Sequence, residues 1–348
     1  MIAGPCAAES EAQVLETAER IHRIAGALPC PLTYFRAGVW KPRSSGADFC
    51  GAGAQALPWL QEVNHRYGFP ICVEVAHPQH IENCLQHGIR SFWVGARTAV
   101  NPFAVQELAD SLQGTGSTVL VKNPAIPDLK LWIGNVERFE KTGATRVMAV
   151  HRGFSVEHEN VLRNAPLWEI AIAFKVARPD VPLLCDPSHI SGHRQYLNQI
   201  SQIAIDYGYN GLMVETHCHP EQALSDADQQ ITPEELLTLI SSLTFKTSQN
   251  NNDQLLQQQR NLIHNIDTQI GQLLAKRMLL VEEIARIKAE HNIPLVQPSQ
   301  WNSVVKNYER AALQDEEYQE FLQQFLEILH QYSLKRQGRD AVNRTSTK

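Results

Sequence analysis

The sequence predicts an α/β (β/α)8 TIM barrel followed by an all-α domain, and three observations carry that reading. Short β-branched or apolar runs ending in a polar or charged residue alternate with amphipathic segments through the first 246 residues. A polar stretch, Thr247 to Asp253, then has nothing to bury. Beyond it, apolar residues recur at helical spacing with no proline until Pro294. Composition breaks at the same place: residues 1–246 hold 17 of the 19 glycines, 16 of the 18 prolines and all seven cysteines, as a turn-rich architecture requires.

Taken in order, the runs are Leu32 to Arg36, Ile71 to Glu74, Phe92 to Arg97, Thr118 to Lys122, Arg146 to Arg152, Pro182 to Asp186 and Gly211 to Glu215. Between them, Gly53 to Tyr67, Pro78 to His87, Pro102 to Leu112 and Asn160 to Val176 are long enough for crossover helices. With Met1 to Ala3 as the stub of a first strand there are eight strand–helix units, the size and rhythm of a barrel whose site lies at the strand C-termini. A doubly wound sheet shares the alternation, but no Gly-rich dinucleotide fingerprint follows any strand. A first strand of three residues is expected to be marginal and suggests a start placed late or a truncation. The expected boundaries are therefore a barrel over 1–246, a linker over 247–253, a helical domain over 254–338 and a frayed tail over 339–348. Within the helical domain, one helix from about Asp253 to His291 would be ~55 Å long. That is far more than one small domain can cover, so an intertwined homodimer is expected. Shorter helices are predicted over Ser299 to Leu313 and Glu316 to Arg336.

The net charge of −6 lies entirely on the first 246 residues and argues against nucleic acid as a partner. No apolar run approaches a membrane span. The N-terminus lacks the pattern of a signal peptide, and seven cysteines without paired spacing read as reduced thiols; the expected location is cytoplasmic.

Six basic residues, Arg36, Lys41, Arg43, Arg97, Lys122 and Arg152, fall at or just after strand ends. In an acidic domain, that convergence points to a substrate carrying more than one phosphate or carboxylate group; the plainer alternative is six unrelated surface charges. Cys6, His189, Glu215 and Asp226 occupy similar positions, and a thiolate, an imidazole and two carboxylates suit a divalent first-row metal such as Mn, Fe, Co or Zn. Singly, each has a duller explanation, as a core thiol or a hydrogen-bonding partner.

Gly4-Pro5-Cys6, Arg36-Ala37-Gly38 with Lys41-Pro42-Arg43-Ser44, Val94-Gly95-Ala96-Arg97, Lys122-Asn123-Pro124, His151-Arg152-Gly153-Phe154, Cys185-Asp186-Pro187-Ser188-His189 and Met213-Val214-Glu215 through Ser225-Asp226 stand in order. Together they resemble 3-deoxy-D-arabino-heptulosonate 7-phosphate (DAHP) synthase of type I beta. The resemblance implies a metal-dependent condensation of phosphoenolpyruvate (PEP) with erythrose 4-phosphate, the first step towards chorismate. It places the metal ligands on Cys6, His189, Glu215 and Asp226, and the PEP site on Arg36, Lys41, Arg97, Lys122 and Arg152 with Glu74 nearby. The erythrose phosphate falls to Arg43 and Ser44, where the family more often has Thr. Lys41, between the two phosphate sites, is the expected proton donor to the developing alkoxide.

On the long helix, Arg277 and Lys288 are 11 residues apart and share a face at 100° per residue, whereas Arg260, 17 residues before Arg277, does not. A solvated charged face is the plain reading for an isolated helix. With Asp267, Pro294, Ser333 and Gln337, however, the order resembles the all-helical chorismate mutase. That resemblance implies rearrangement of chorismate to prephenate, with Arg277 and a second chain's Arg260 clamping the carboxylates. Lys288 and Gln337 would serve the ether oxygen, with Ser333 as a supporting contact. Gln297 can still meet the substrate hydroxyl, but Gln300 stands where many members have Arg, and Trp301 where an acidic residue is common. The expected function is a bifunctional shikimate-pathway enzyme; the alternative is a DAHP synthase whose helical domain mainly dimerises and senses prephenate or chorismate.

Overall fold

The computed structural model describes the chain except for residues 42–48, 144–145, 157–160, 246–252, 298–303, 306–314 and 346–348. It forms two compact units, Met1–Lys246 and Thr247–Lys348. The first is a closed barrel of eight parallel strands in sequential order: β1 Ile2–Gly4, β2 Tyr34–Ala37, β3 Ile71–Val75, β4 Ser91–Val94, β5 Thr118–Lys122, β6 Arg146–His151, β7 Leu183–Cys185 and β8 Gly211–Glu215. Closure decides against the doubly wound sheet. The three residues of β1 suffice for it, because Ile2 and Ala3 pair with Tyr34 and Phe35 on one side and with Met213 and Val214 on the other.

Strand periodicity positions the site. Side chains two residues apart share a face, and five strands carry an apolar residue below and a charged one above: Tyr34 and Arg36, Cys72 and Glu74, Leu120 and Lys122, Leu184 and Asp186, Met213 and Glu215. The lower members join Ile2, Trp93, Met148 and Val150 in a core inside the barrel. The intervening strand residues, such as Phe35, Val73, Val119 and Val214, pack outward on the surrounding helices in the larger core. The charged set therefore stands on a dry floor, as the layered packing of such barrels dictates.

The helix expected over Asn160 to Val176 is shorter, Trp168–Ala177. Ala165 pairs antiparallel with Phe154, the adjacent Pro166 disfavours helix, and Leu167 turns through a positive φ of 38° before the first helical turn. The strand expected over Phe92 to Arg97 stops at Val94, because the chain turns there: the Ala99 N–H donates to the Gly95 carbonyl at 2.9 Å, and Arg97 lies exposed. The helix predicted to end near Arg336 runs on to Thr345, so the expected frayed tail is mostly helical. One Gly338 costs about 1 kcal/mol in a helix interior and no proline follows it, while Arg336 pairs with Glu282.

Below Arg152, His151 is fully buried. Its Nε2 is 2.6 Å from the Pro166 carbonyl and its Nδ1 is 2.9 Å from the Tyr209 hydroxyl. With a carbonyl at Nε2, the ring donates there and accepts from the tyrosine, which is the neutral form; burial lowers its pKa to about 4. The unfolded chain takes a proton near pH 6.5 and the folded one only near 4, so stability is full above about 6.5 and declines between these values. Between pH 7 and 4, urea unfolding of His151→Asn should show a stability loss smaller than that of the wild type by about 3 kcal/mol.

In the second unit, the helix Asp253–Glu290 packs against the helix Glu316–Thr345 through Val281, Ala285, Leu326 and Leu329. Leu262, Ile266, Ile270 and Leu273, further towards its start, are about half exposed or more. The predicted helix over Ser299 to Leu313 lies almost wholly outside the described residues.

Candidate active site

The charged set converges at the C-terminal end of the barrel. Arg36 is fully buried; one guanidinium nitrogen is 2.9 Å from Glu215 Oε1, another is 4.0 Å from Asp186 Oδ2, and the group lies 4.8 Å from the Trp93 ring centre. Burial works against its charge, but Glu215 and Asp186 outweigh it and raise the pKa. Its Nε and Nη1 are buried and find no hydrogen-bond partner among the described residues. Unsatisfied donors of a buried cation are costly to leave unmade, and an anion in the barrel mouth would satisfy them.

Lys122 Nζ is 2.7 Å from Asp186 Oδ2, and burial lowers its pKa. Asp186 also accepts from the His189 backbone N–H at 3.0 Å. Burial works to raise the pKa of Asp186, yet His189, Lys122 and Arg36 hold it well below the carboxylate range. Lys41 Nζ is 3.5 Å from Glu74 Oε2. Although burial opposes its charge, the Cys6 sulfur and the Glu74 and Glu215 carboxylates hold that ammonium above its ordinary range. A Cβ on Gly95 would stand 2.2 Å from Glu74 Oε1, so only glycine lets this carboxylate occupy its place. Arg152 is held from β6 by its N–H to Asn123 Oδ1 at 2.7 Å and by Nη1 to Asn164 Oδ1 at 2.7 Å; burial lowers its pKa to about 10. Lys41, Glu74, Arg97, Lys122, Arg152, His189 and Asp226 line one cavity of about 220 Å3.

On its other flank, Cys6 Sγ is 3.1 Å from Asp226 Oδ2, and one donor atom each from Cys6, Glu215 and Asp226 lies within 4.8 Å of the others. His189 Nε2 is 3.7 Å from Glu215 Oε1, while its Nδ1 is 2.8 Å from Asp186 Oδ2, too oblique for a good hydrogen bond. Burial, then Glu215, pushes the Cys6 thiol up to about 12. A thiol held that high among carboxylates ionises readily only beside a further cation, and the donors match those of a divalent metal.

The structure thus brings ten of the predicted barrel residues together: Cys6, Arg36, Lys41, Glu74, Arg97, Lys122, Arg152, His189, Glu215 and Asp226. Arg43 and Ser44 lie outside the described residues. Several participants carried no assigned role in the sequence reading. Asp186 binds both Lys122 and His189, and its place at the end of β7 was a usable signal. Arg163 meets Asp226 Oδ1 at 3.2 Å and Gln229 at 2.6 Å, Gln229 donates to Glu215 at 2.6 Å, and Gln230 accepts from the Cys6 N–H at 2.9 Å. These come from loops without periodicity.

In the helical unit, Arg277 Nη1 donates to Ser333 Oγ at 2.6 Å, and Lys288 Nζ donates to the Leu295 carbonyl at 2.7 Å. Burial, then Arg277 and Lys288, lowers the pKa of His330 on the facing helix, which places both cations near it. Gln337 is buried with its Oε1 lacking a partner among the described residues. Arg260 and Gln297 are exposed, and Arg260 stands ~25 Å along the helix from Arg277. Gln300 and Trp301 lie outside the described residues.

Comparison with known proteins gives two family matches: the DAHP synthetase I family over residues 1–251 and chorismate mutase type II over residues 259–338. A phospho-2-dehydro-3-deoxyheptonate aldolase of Thermotoga maritima is 28% identical over 243 residues, 70% of this chain and 68% of that protein. A 2-dehydro-3-deoxyphosphooctonate aldolase of Dichelobacter nodosus is 26% identical, over 70% of this chain and 88% of its own length. The crystal structure of the Thermotoga maritima DAHP synthase matches with a TM-score of 0.60 at 27% identity, covering 69% of this chain and 66% of that one.

Proposed function

Since the chain belongs to the DAHP synthetase I family and carries a chorismate mutase type II domain behind its barrel, we propose that it condenses PEP with erythrose 4-phosphate and rearranges chorismate to prephenate. The observation that supports the first reaction best is the buried Arg36, with two unsatisfied donors, beside Lys122 and the Cys6–Glu215–Asp226 set.

Arg36, Lys41, Lys122, Arg97 and Arg152 bind the PEP carboxylate and phosphoryl group, and Arg43 with Ser44 takes the phosphate of the aldehyde. Two dianions that repel each other in water are thereby held for reaction, at a cost already met in the folded protein. The methylene carbon of PEP attacks the aldehyde carbon. Lys41, kept protonated by its carboxylate neighbours, gives its proton to the oxygen that gains charge. Water adds to the central carbon of PEP, and phosphate leaves as the C–O bond breaks. Cys6, His189, Glu215 and Asp226 would hold a divalent metal, which when bound supplies Lewis acidity towards the aldehyde.

In the second reaction no bond is made to the protein. Arg277 and a partner copy's Arg260 hold the carboxylates of chorismate, and Lys288 and Gln337 donate to the ether oxygen as charge grows there. Arg260 and Arg277 are too far apart on one helix to meet one small ligand, which supports the intertwined homodimer.

A second reading of the barrel, with another phosphorylated sugar as acceptor, is favoured by the 2-dehydro-3-deoxyphosphooctonate aldolases among the relatives. The Lys41-Pro42-Arg43-Ser44 run and the mutase domain argue for erythrose 4-phosphate. A chelator separates the two reactions: we expect PEP consumption to stop while chorismate turnover continues. Equal loss of both would contradict separate sites.

A further inference from the structure

We propose that Glu16, Cys218 and His219 form a second metal site, for a divalent cation of the zinc class. It shares no residue with the Cys6–Glu215–Asp226 set. Glu16 lies on the first helix of the barrel, Glu11–Ala25, and Cys218 and His219 follow β8 in the loop that leads to Asp226. One donor atom of each lies within 4.8 Å of the other two, and His219 Nε2 is 3.1 Å from Glu16 Oε1.

Three features distinguish this cluster from a chance surface pair. The ligand types are mixed: a sulfur, an imidazole nitrogen and a carboxylate oxygen are the donors tetrahedral zinc takes, at bond lengths of about 2.0 to 2.3 Å, which put donors on the order of 3.5 Å apart. The observed separations need only a small closing movement. The backbone of Cys218 is fixed on both sides, its N–H donating to Thr17 Oγ1 at 3.1 Å and its carbonyl accepting from Arg20 at 2.5 Å. The thiol itself has only long contacts, 3.7 Å to the Gln13 carbonyl and 3.9 Å to His217 Nδ1, although the residue is buried. Arg20 Nη1 lies 3.6 Å from Glu16 Oε1 and competes with a metal for that oxygen, but Glu234 engages the same guanidinium through both its carboxylate oxygens, so Arg20 keeps an anionic partner when Glu16 turns to the ion.

Three protein donors leave a fourth position for water. The exposure of His219, 52% at the side chain, gives the ion a path from solvent. Binding would release the thiol proton and fasten the start of the β8 loop to the first helix, upstream of Asp226, Gln229 and Gln230.

The test is a Co2+ titration of the full chain, freed of metal, against Cys218→Ser and His219→Ala. We expect Cys218→Ser to bind one cobalt fewer per chain than wild type and to lose part of the thiolate-to-cobalt absorption. His219→Ala, at an exposed position that should not impair folding, should weaken that equivalent by more than about tenfold. Zn2+ should also raise the melting temperature of wild type more than that of His219→Ala. Unchanged stoichiometry in both variants would leave His219–Glu16 a plain surface ion pair and overturn the proposal.

Discussion

Arg36→Ala will lose both stability and catalysis, and by amounts that can be separated. The guanidinium is the fully buried partner of Glu215 at 2.9 Å and a neighbour of Asp186 at 4.0 Å. Removing one member of a buried pair leaves a carboxylate uncompensated, a loss of about 3–5 kcal/mol. Nε and Nη1 make no hydrogen bond among the described residues, and those donors are the ones assigned to the substrate. Losing those donors in a water-poor site should lower kcat/KM by roughly 10²–10³ per folded molecule. Arg36→Lys restores the charge without the fork, so stability should return further than activity. Urea midpoints and PEP-dependent phosphate release measure the two effects. A variant that is destabilised yet fully active per folded molecule would show Arg36 to be structural only.

Lys288→Ala is the second large effect and falls on the other domain. Lys288 Nζ sits 2.7 Å from the Leu295 carbonyl, the first turn past the long helix, and burial with Arg277 and Lys288 lowers the pKa of the facing His330. If Lys288 stabilises charge on the ether oxygen, its loss should slow chorismate turnover by roughly 10²–10³ while DAHP formation is unchanged. Chorismate binding should weaken far less than kcat falls, because the interaction strengthens only as the bond breaks. Should wild type bind chorismate without converting it, the helical domain is a sensor, and the variant then alters only regulation.

The barrel was legible because its signal is local and repeated. Each of five strands places a charged residue two positions after an apolar one, and alternation converts that spacing into a shared face. Thr118–Lys122 and Gly211–Glu215 matched their runs residue for residue. Arg36, Glu74, Lys122 and Glu215 were legible for the same reason, since they stand in the last residues of strands; Cys6, Lys41, Arg97 and His189 follow two to four residues after a strand end, and Asp226, in the loop after β8, rested on the resemblance. Arg163, Gln229 and Gln230 were not, because they approach from loops whose course depends on tertiary contacts such as the Phe154–Ala165 pairing. Asp186 was written in a quoted motif but given no role. Sequence shows that an acid ends β7, not that two cations and an imidazole surround it. In the helical domain, the shared face of Arg277 and Lys288 followed from angle alone. Nothing local announced the Arg277–Ser333 contact, which joins residues 56 positions apart on two helices.

The most direct test of the central claim is PEP consumption by the full chain, supplied with a divalent metal, with and without erythrose 4-phosphate and against a panel of other phosphorylated aldoses. The account predicts one phosphate released per PEP consumed, only when erythrose 4-phosphate and metal are both present. PEP consumption that is indifferent to erythrose 4-phosphate, or faster with a longer sugar such as a phosphorylated pentose, would contradict it.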